Sequence, residues 1–201
     1  MAGDRARVPF VGLTGGMAAG KSEALKALER LGAATLSSDA VVRELLTTGE
    51  IRDALVDRFG DEVAPGGEVD RSAVAEIVFS DPEKREWLEG LLWPRVGERI
   101  VEWREGLAHA DPRPRAAVVE VPLLFESGME AVFDRTIAVV ADESVRLERA
   151  GARGHTRVDE RTSRQLSQEE KAGRADIVVR NDGTLDDLQR ALSSAIGTIE
   201  P

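Results

Sequence analysis

Between residues 15 and 22 the chain reads Gly15-Gly16-Met17-Ala18-Ala19-Gly20-Lys21-Ser22: glycine, four variable positions, then glycine, lysine and a hydroxyl residue. That spacing lets the backbone curl so that successive N–H groups point into one hollow, a nest for an anion. An apolar run at 10–13 precedes the loop. After it Leu25, Leu28 and Leu31 recur at helical spacing, with Gly32 as a stop. Strand, glycine loop and helix in this order form a P-loop, in which the unpaired amides and positive dipole end of the helix also face the anion. Lys21 brings a full charge to the β- and γ-phosphates of a nucleoside triphosphate, and Ser22 offers a hard oxygen to Mg²⁺. The chain is therefore expected to bind ATP and Mg²⁺ on Gly15, Gly16, Met17, Ala18, Ala19, Gly20, Lys21, Ser22 and the adjoining Glu23.

Four further apolar runs, at 34–36, 117–121, 136–140 and 177–179, are near-continuous rather than alternating. Such runs suit parallel strands covered on both faces. Separated by helical patterns, they predict a P-loop-type, doubly wound parallel five-stranded α/β sheet. The expected single domain has core segments 8–39, 115–142 and 174–201. Residues 40–114 are helical in pattern almost throughout, with turn signals at Gly49, Pro65 to Gly67 and Asp81, and are too long for one crossover. They read as a helical insertion that binds an acceptor. Ser80, Asp81, Pro82 and Glu83 make a helix start there, followed by the stripe Leu88, Leu91, Leu92 and Val96. Residues 143–173 carry Arg146, Arg149, Arg153, Arg157, Arg161 and Arg164. They read either as a solvated helix with i,i+4 ion pairs or as a phosphate-facing lid, with Arg149 and Arg153 the candidate ATP contacts.

The net charge of −10 argues against nonspecific nucleic-acid binding. It also requires cations to be concentrated locally around any phosphorylated substrate. Lysine occurs only at 21, 26, 84 and 171, so 23 of the 27 Lys and Arg residues are arginine. The absence of cysteine excludes disulfides and thiolate chemistry, and His109 and His155 alone make a poor metal set. No apolar run approaches the ~20 residues of a membrane span, and the polar start has no secretory core, so a cytoplasmic protein is expected. The sequence does not set its oligomeric state, though a monomer is favoured.

Two acids stand at strand ends. Asp39 follows the second strand, at the edge of the sheet where open α/β folds bind ligands. It reads equally as the base that accepts a hydroxyl proton or as a cap on a helix over 40–46. Glu120 closes the third strand, and reads either as a Mg²⁺ carboxylate or as an edge charge.

Taken together these residues resemble the dephospho-CoA kinase family, and the resemblance covers nearly the whole chain. It is carried by Leu13-Thr14-Gly15-Gly16 through Lys21-Ser22, by Ser38-Asp39-Ala40-Val41-Val42-Arg43, and by Phe59-Gly60 with Val69-Asp70-Arg71. Val121-Pro122-Leu123-Leu124-Phe125-Glu126 is the most family-specific run, and Gln165, Lys171, Ala175-Asp176 and Asn181 resemble the C-terminal pattern. The resemblance implies phosphoryl transfer from ATP to the ribose 3′-hydroxyl of dephospho-CoA, the last step of coenzyme A synthesis. It implies Asp39 and Lys21 as catalytic residues, Asn181 at the ATP site, Arg71, Pro122, Leu123 and Leu124 with Asp39 at the acceptor, and Ser22 with Glu120 at Mg²⁺. The chain departs from the family pattern at Trp93-Pro94, where His-Pro is usual, at Ser37, where an acid is usual, and at Glu23, where threonine is usual. A kinase of nucleosides or nucleoside monophosphates, or an ATP-dependent switch without acceptor, stays open on the P-loop alone.

Overall fold

The computed structural model describes residues 7–152 and 165–199. The chain divides into two compact units, one of residues 1–37 with 104–201 and one of residues 38–103.

The first unit is built on five strands: β1 (Phe10–Gly15), β2 (Ala34–Ser37), β3 (Ala117–Glu120), β4 (Arg135–Val140) and β5 (Ile177–Arg180). All are parallel, in the order β2-β3-β1-β4-β5. Every residue of β1 and β3 is buried, whereas the edge strands β2 and β5 are only partly so. The continuous apolar runs are thus explained by a sheet sealed on both faces. Helices α1 (Lys21–Arg30) and α8 (Leu185–Ile199) cover it. Leu28 of α1 and Leu188, Leu192 and Ile196 of α8 join Val11, Leu13, Ile137 and Val139 in one buried cluster. Strand β1 is central, between β3 and β4; the chain leaves it for β2 on one side and returns through β3 to β4 and β5 on the other. The loop at its carboxyl end therefore opens where the strand order reverses, the place where such sheets bind ligands.

The second unit is helical, as expected for an insertion: α2 (Ser38–Leu45), α3 (Gly49–Phe59), α4 (Arg71–Ser80) and most of α5 (Pro82–Gly106). Asp70 caps α4, accepting from the amides of Ser72 at 2.8 Å and Ala73 at 3.2 Å. Asp81 does the same for α5, accepting from Glu83 at 3.0 Å and Lys84 at 3.2 Å. Ile51, Leu55, Val63 and Val74 are buried, and Phe59 meets the edge of Trp87 with ring centroids 5.2 Å apart.

The insertion begins at Ser38 and ends at Trp103 rather than spanning 40–114, because α5 runs unbroken past Pro94 and residues 104–114 cluster with the sheet. Arg104, for example, lies 4.1 Å over the ring of Phe10. The expected lid, 143–173, lies partly outside the described residues. The two described ends of that stretch, α6 (Glu143–Ala152) and α7 (Gln168–Arg174), are tied to the sheet unit by side-chain bonds to its loops.

Candidate active site

Glycine is required at two points of the loop. Gly15 has φ +154° and its β-carbon would collide with the carbonyl of Val139 in the adjoining strand. Gly20 has φ +98°, and a side chain there would meet the amide of Asn181. Ala18 also takes a left-handed conformation, φ 58°, without being glycine. A non-glycine residue held there marks a backbone overdetermined by its surroundings. The Lys21 ammonium reaches back to the carbonyls of Gly15 and Gly16, each at 3.1 Å, and so lies across the mouth of the loop. Ser22 is exposed in the first turn of α1. Glu23 is drawn to Lys26 at 2.9 Å, an i,i+3 pair on the same helix.

Around the loop stands a set of braces. Asn181 is buried, and its side-chain amide donates to the Ala19 carbonyl at 2.8 Å. Its own carbonyl accepts from Arg149 at 2.9 Å. Asn181, expected at the ATP site, thus holds the backbone of the loop through Ala19. Arg146 donates through Nε to the Met17 carbonyl at 3.0 Å. Gln168 grips the backbone of Ala141 from both sides, accepting at 3.2 Å and donating at 2.8 Å. These bonds bring α6 and the start of α7 against the P-loop. Arg153 lies outside the described residues.

Glu120 closes β3 opposite Leu13, is 7% exposed, and accepts from the Ser37 hydroxyl at 3.0 Å. The Ser37 hydroxyl thus orients Glu120 where a second carboxylate would repel it. A hydroxyl at Ser22 and a carboxylate at Glu120 are hard oxygens of the kind Mg²⁺ accepts beside substrate phosphates.

Past β3 the run 121–126 turns back onto the sheet. Its anchor is Lys171 of α7, which is fully buried. The ammonium donates to the Pro122 carbonyl at 2.5 Å and pairs with Glu126 at 3.0 Å, while Thr14 donates to the same carbonyl at 3.3 Å. Glu126 also accepts from the Leu166 amide at 2.9 Å. A buried lysine is tolerated only when paired and hydrogen-bonded in this way. Pro122 and Leu123 are half-buried, but Leu124 is fully buried, its Cδ2 3.1 Å from where a β-carbon on Gly12 would stand. Leu124 is therefore packed in the core, and Pro122 and Leu123 are the more accessible apolar residues of the run.

Asp39 sits in the first turn of α2, two residues beyond β2, with its side chain exposed. It is inside the helix, not ahead of it as a cap would be, and its carboxylate complements the helix dipole. Arg71 opens α4, exposed, in the same unit. Trp93 is 48% exposed on α5.

Arg146, Gln168 and the Lys171–Glu126 pair were not singled out as site residues from the sequence. Arg146 was one arginine among many on a charged helix. Lys171 and Glu126 both stand in runs that carry the family resemblance, but nothing in the sequence pairs them across 45 residues.

Comparison with known proteins bears on the same features. The sequence profile of the dephospho-CoA kinase family matches residues 9–187. A dephospho-CoA kinase of Moorella thermoacetica is 39% identical over 187 residues, 92% of this chain and 88% of its own. A solved Thermus thermophilus protein superposes with a TM-score of 0.80 at 33% identity, covering 97% of this chain and all of that one. The fold is shared with a solved dephospho-CoA kinase of Campylobacter jejuni, TM-score 0.65 at 24% identity, covering 96% and 97% of the two chains. With a braced P-loop on a five-stranded parallel sheet and a match spanning most of its length, the chain belongs to the dephospho-CoA kinase family.

Proposed function

We propose that the chain transfers the γ-phosphoryl group of Mg²⁺-ATP to the ribose 3′-hydroxyl of dephospho-CoA, giving ADP and coenzyme A. The observation that carries this reading is the P-loop with Lys21 across its mouth and an oriented carboxylate, Glu120, at the end of the neighbouring strand. Amides of residues 15–22 hold the triphosphate, and Lys21 exchanges its bonds to Gly15 and Gly16 for phosphate oxygens. Ser22 and Glu120 would hold Mg²⁺, which supplies neutralisation of charge on the β- and γ-phosphates. Asp39 accepts the proton of the attacking hydroxyl. Arg149, kept beside the loop by Asn181, adds positive charge toward the transferring group. Pro122 and Leu123 offer the acceptor an apolar surface held in place by Lys171.

The acceptor identity is tested by coupled ADP release with dephospho-CoA, AMP and adenosine in parallel. Dephospho-CoA is expected to turn over with the highest kcat/KM; faster turnover of a nucleoside monophosphate would replace the assignment. ADP release that ignores every acceptor would point instead to a nucleotide-dependent switch. Among the described residues no helix is long and apolar enough to cross a membrane, in keeping with a cytoplasmic enzyme.

A further inference from the structure

The two loop carbonyls that flank Ala18 are held from outside the loop. Arg146 of α6 donates through Nε to Met17 at 3.0 Å, and the buried amide of Asn181 donates to Ala19 at 2.8 Å. In a trans peptide the carbonyl oxygen and the N–H that follows it point in opposite directions. Pinning the Met17 oxygen to α6 therefore turns the Ala18 N–H away from that helix. Pinning the Ala19 oxygen turns the Gly20 N–H away from Asn181 in the same manner. Between the two pins Ala18 sits at φ 58°, the left-handed turn that gathers successive N–H groups into an anion nest. Alanine resists that conformation, because its β-carbon is driven toward the following carbonyl oxygen. The surroundings of the residue must hold it there.

Helix α6 comes close enough to do so. A β-carbon on Gly16 would stand 3.6 Å from both Cζ and Nε of Arg146, and 3.3 Å from Cβ of Gln168. The guanidinium is thus laid against the loop backbone itself, at the residue before the carbonyl it holds. We propose that Arg146 is a positioning residue for nucleotide binding. By holding the Met17 carbonyl it keeps Ala18 left-handed and its amide aimed at the phosphates, so that binding energy is not spent on ordering the loop. The proposal rests on the ATP reading above.

Four chains test it: wild type, Arg146→Met, Ala18→Gly and the double variant, with Kd for a Mg²⁺-bound, non-hydrolysable ATP analogue read by calorimetry. Methionine keeps an unbranched stem but loses the donor. Arg146→Met should raise Kd about tenfold, the ratio to which the strain of a left-handed alanine corresponds. Glycine takes a positive φ without that strain, so in the Ala18→Gly background the same change should raise Kd less than about threefold. The double variant should then bind more tightly than Arg146→Met alone. A direct contact between Arg146 and phosphate would be lost equally in both backgrounds, so equal losses overturn the positioning role, as does an unaltered Kd in Arg146→Met. Arg146→Lys, which can still donate to Met17, should fall between wild type and the methionine variant. KM for ATP should follow Kd while kcat at saturation changes less than about threefold, because bound phosphate itself aligns the amide. The same cycle with inorganic tripolyphosphate stands apart from nucleotide and turnover. Affinity lost in Arg146→Met and recovered by Ala18→Gly supports the positioning role even if ATP proves not to be the ligand, and equal affinity in all four chains refutes it.

Discussion

Lys21 and Asp39 separate two jobs that a kinase site must do. Lys21 lies over the loop, within reach of whatever anion the amides hold, so Lys21→Ala removes charge at the transferring phosphate. We expect kcat/KM to fall about 100- to 1,000-fold, the magnitude seen when a transition-state charge stabiliser is deleted. Asp39 stands exposed at the start of α2. Asp39→Asn should cut kcat by about 100-fold or more while leaving the Kd for ATP within twofold, measured by calorimetry. An unaltered kcat would remove Asp39 from the mechanism. Gly20→Ala is the geometric counterpart: at φ +98°, with Asn181 occupying the space for a side chain, alanine must displace the Asn181 amide from Ala19. ATP affinity should drop with every charged group of the site intact.

At the scale of elements, α7 shows how a short helix fixes a loop it does not adjoin in sequence. Its Lys171 holds Pro122 and Glu126, and its Gln168 holds Ala141. Lys171→Met strands Glu126 in a largely buried site and is expected to cost about 3–5 kcal/mol in denaturant unfolding, with Lys171→Met/Glu126→Leu recovering much of it. Asp176, just before β5, ties that strand to β4. Burial opposes its charge, but the hydroxyl and amide of Thr136 outweigh that and hold its carboxyl below the ordinary value of 3.8. Since the folded form is the stronger acid, its contribution is complete above the unfolded value and is lost as pH falls through the lower, folded one. Asp176→Asn should therefore narrow the stability difference between neutral pH and pH 3, read from thermal melts.

The strands were legible because both faces of the sheet are covered, which leaves unbroken apolar runs at 10–13, 117–121 and 136–140 with little to confuse them. The P-loop was legible because Gly15 and Gly20 have no substitute in their conformations. What the sequence hid are residues whose roles depend on distant partners. Leu124 reads the same whether it faces a cleft or Gly12. The bond of Asn181 to Ala19 joins residues 162 positions apart, which no local pattern announces.

For the whole molecule, the two compact units make ligand linkage the natural probe. Mg²⁺-ATP at 100 times its Kd stabilises the chain by about 2.7 kcal/mol if it binds only the folded form. For a chain of this size that corresponds to a Tm increase of roughly 5–10 °C in calorimetric melts. Withdrawing Mg²⁺ should abolish most of the increase, and no increase with the metal present would contradict the P-loop reading at its root.

The burial of Lys171 has a further use. Lys26 and Lys84 lie open to solvent, whereas Lys171 is sealed within the sheet unit. An acylating reagent applied to the native protein would modify those two at once and reach Lys171 only when the fold opens. The mass tag gained by the peptide holding Lys171 becomes an internal clock for such openings, and its slowing by nucleotide would report occupancy of the loop without any enzymatic assay.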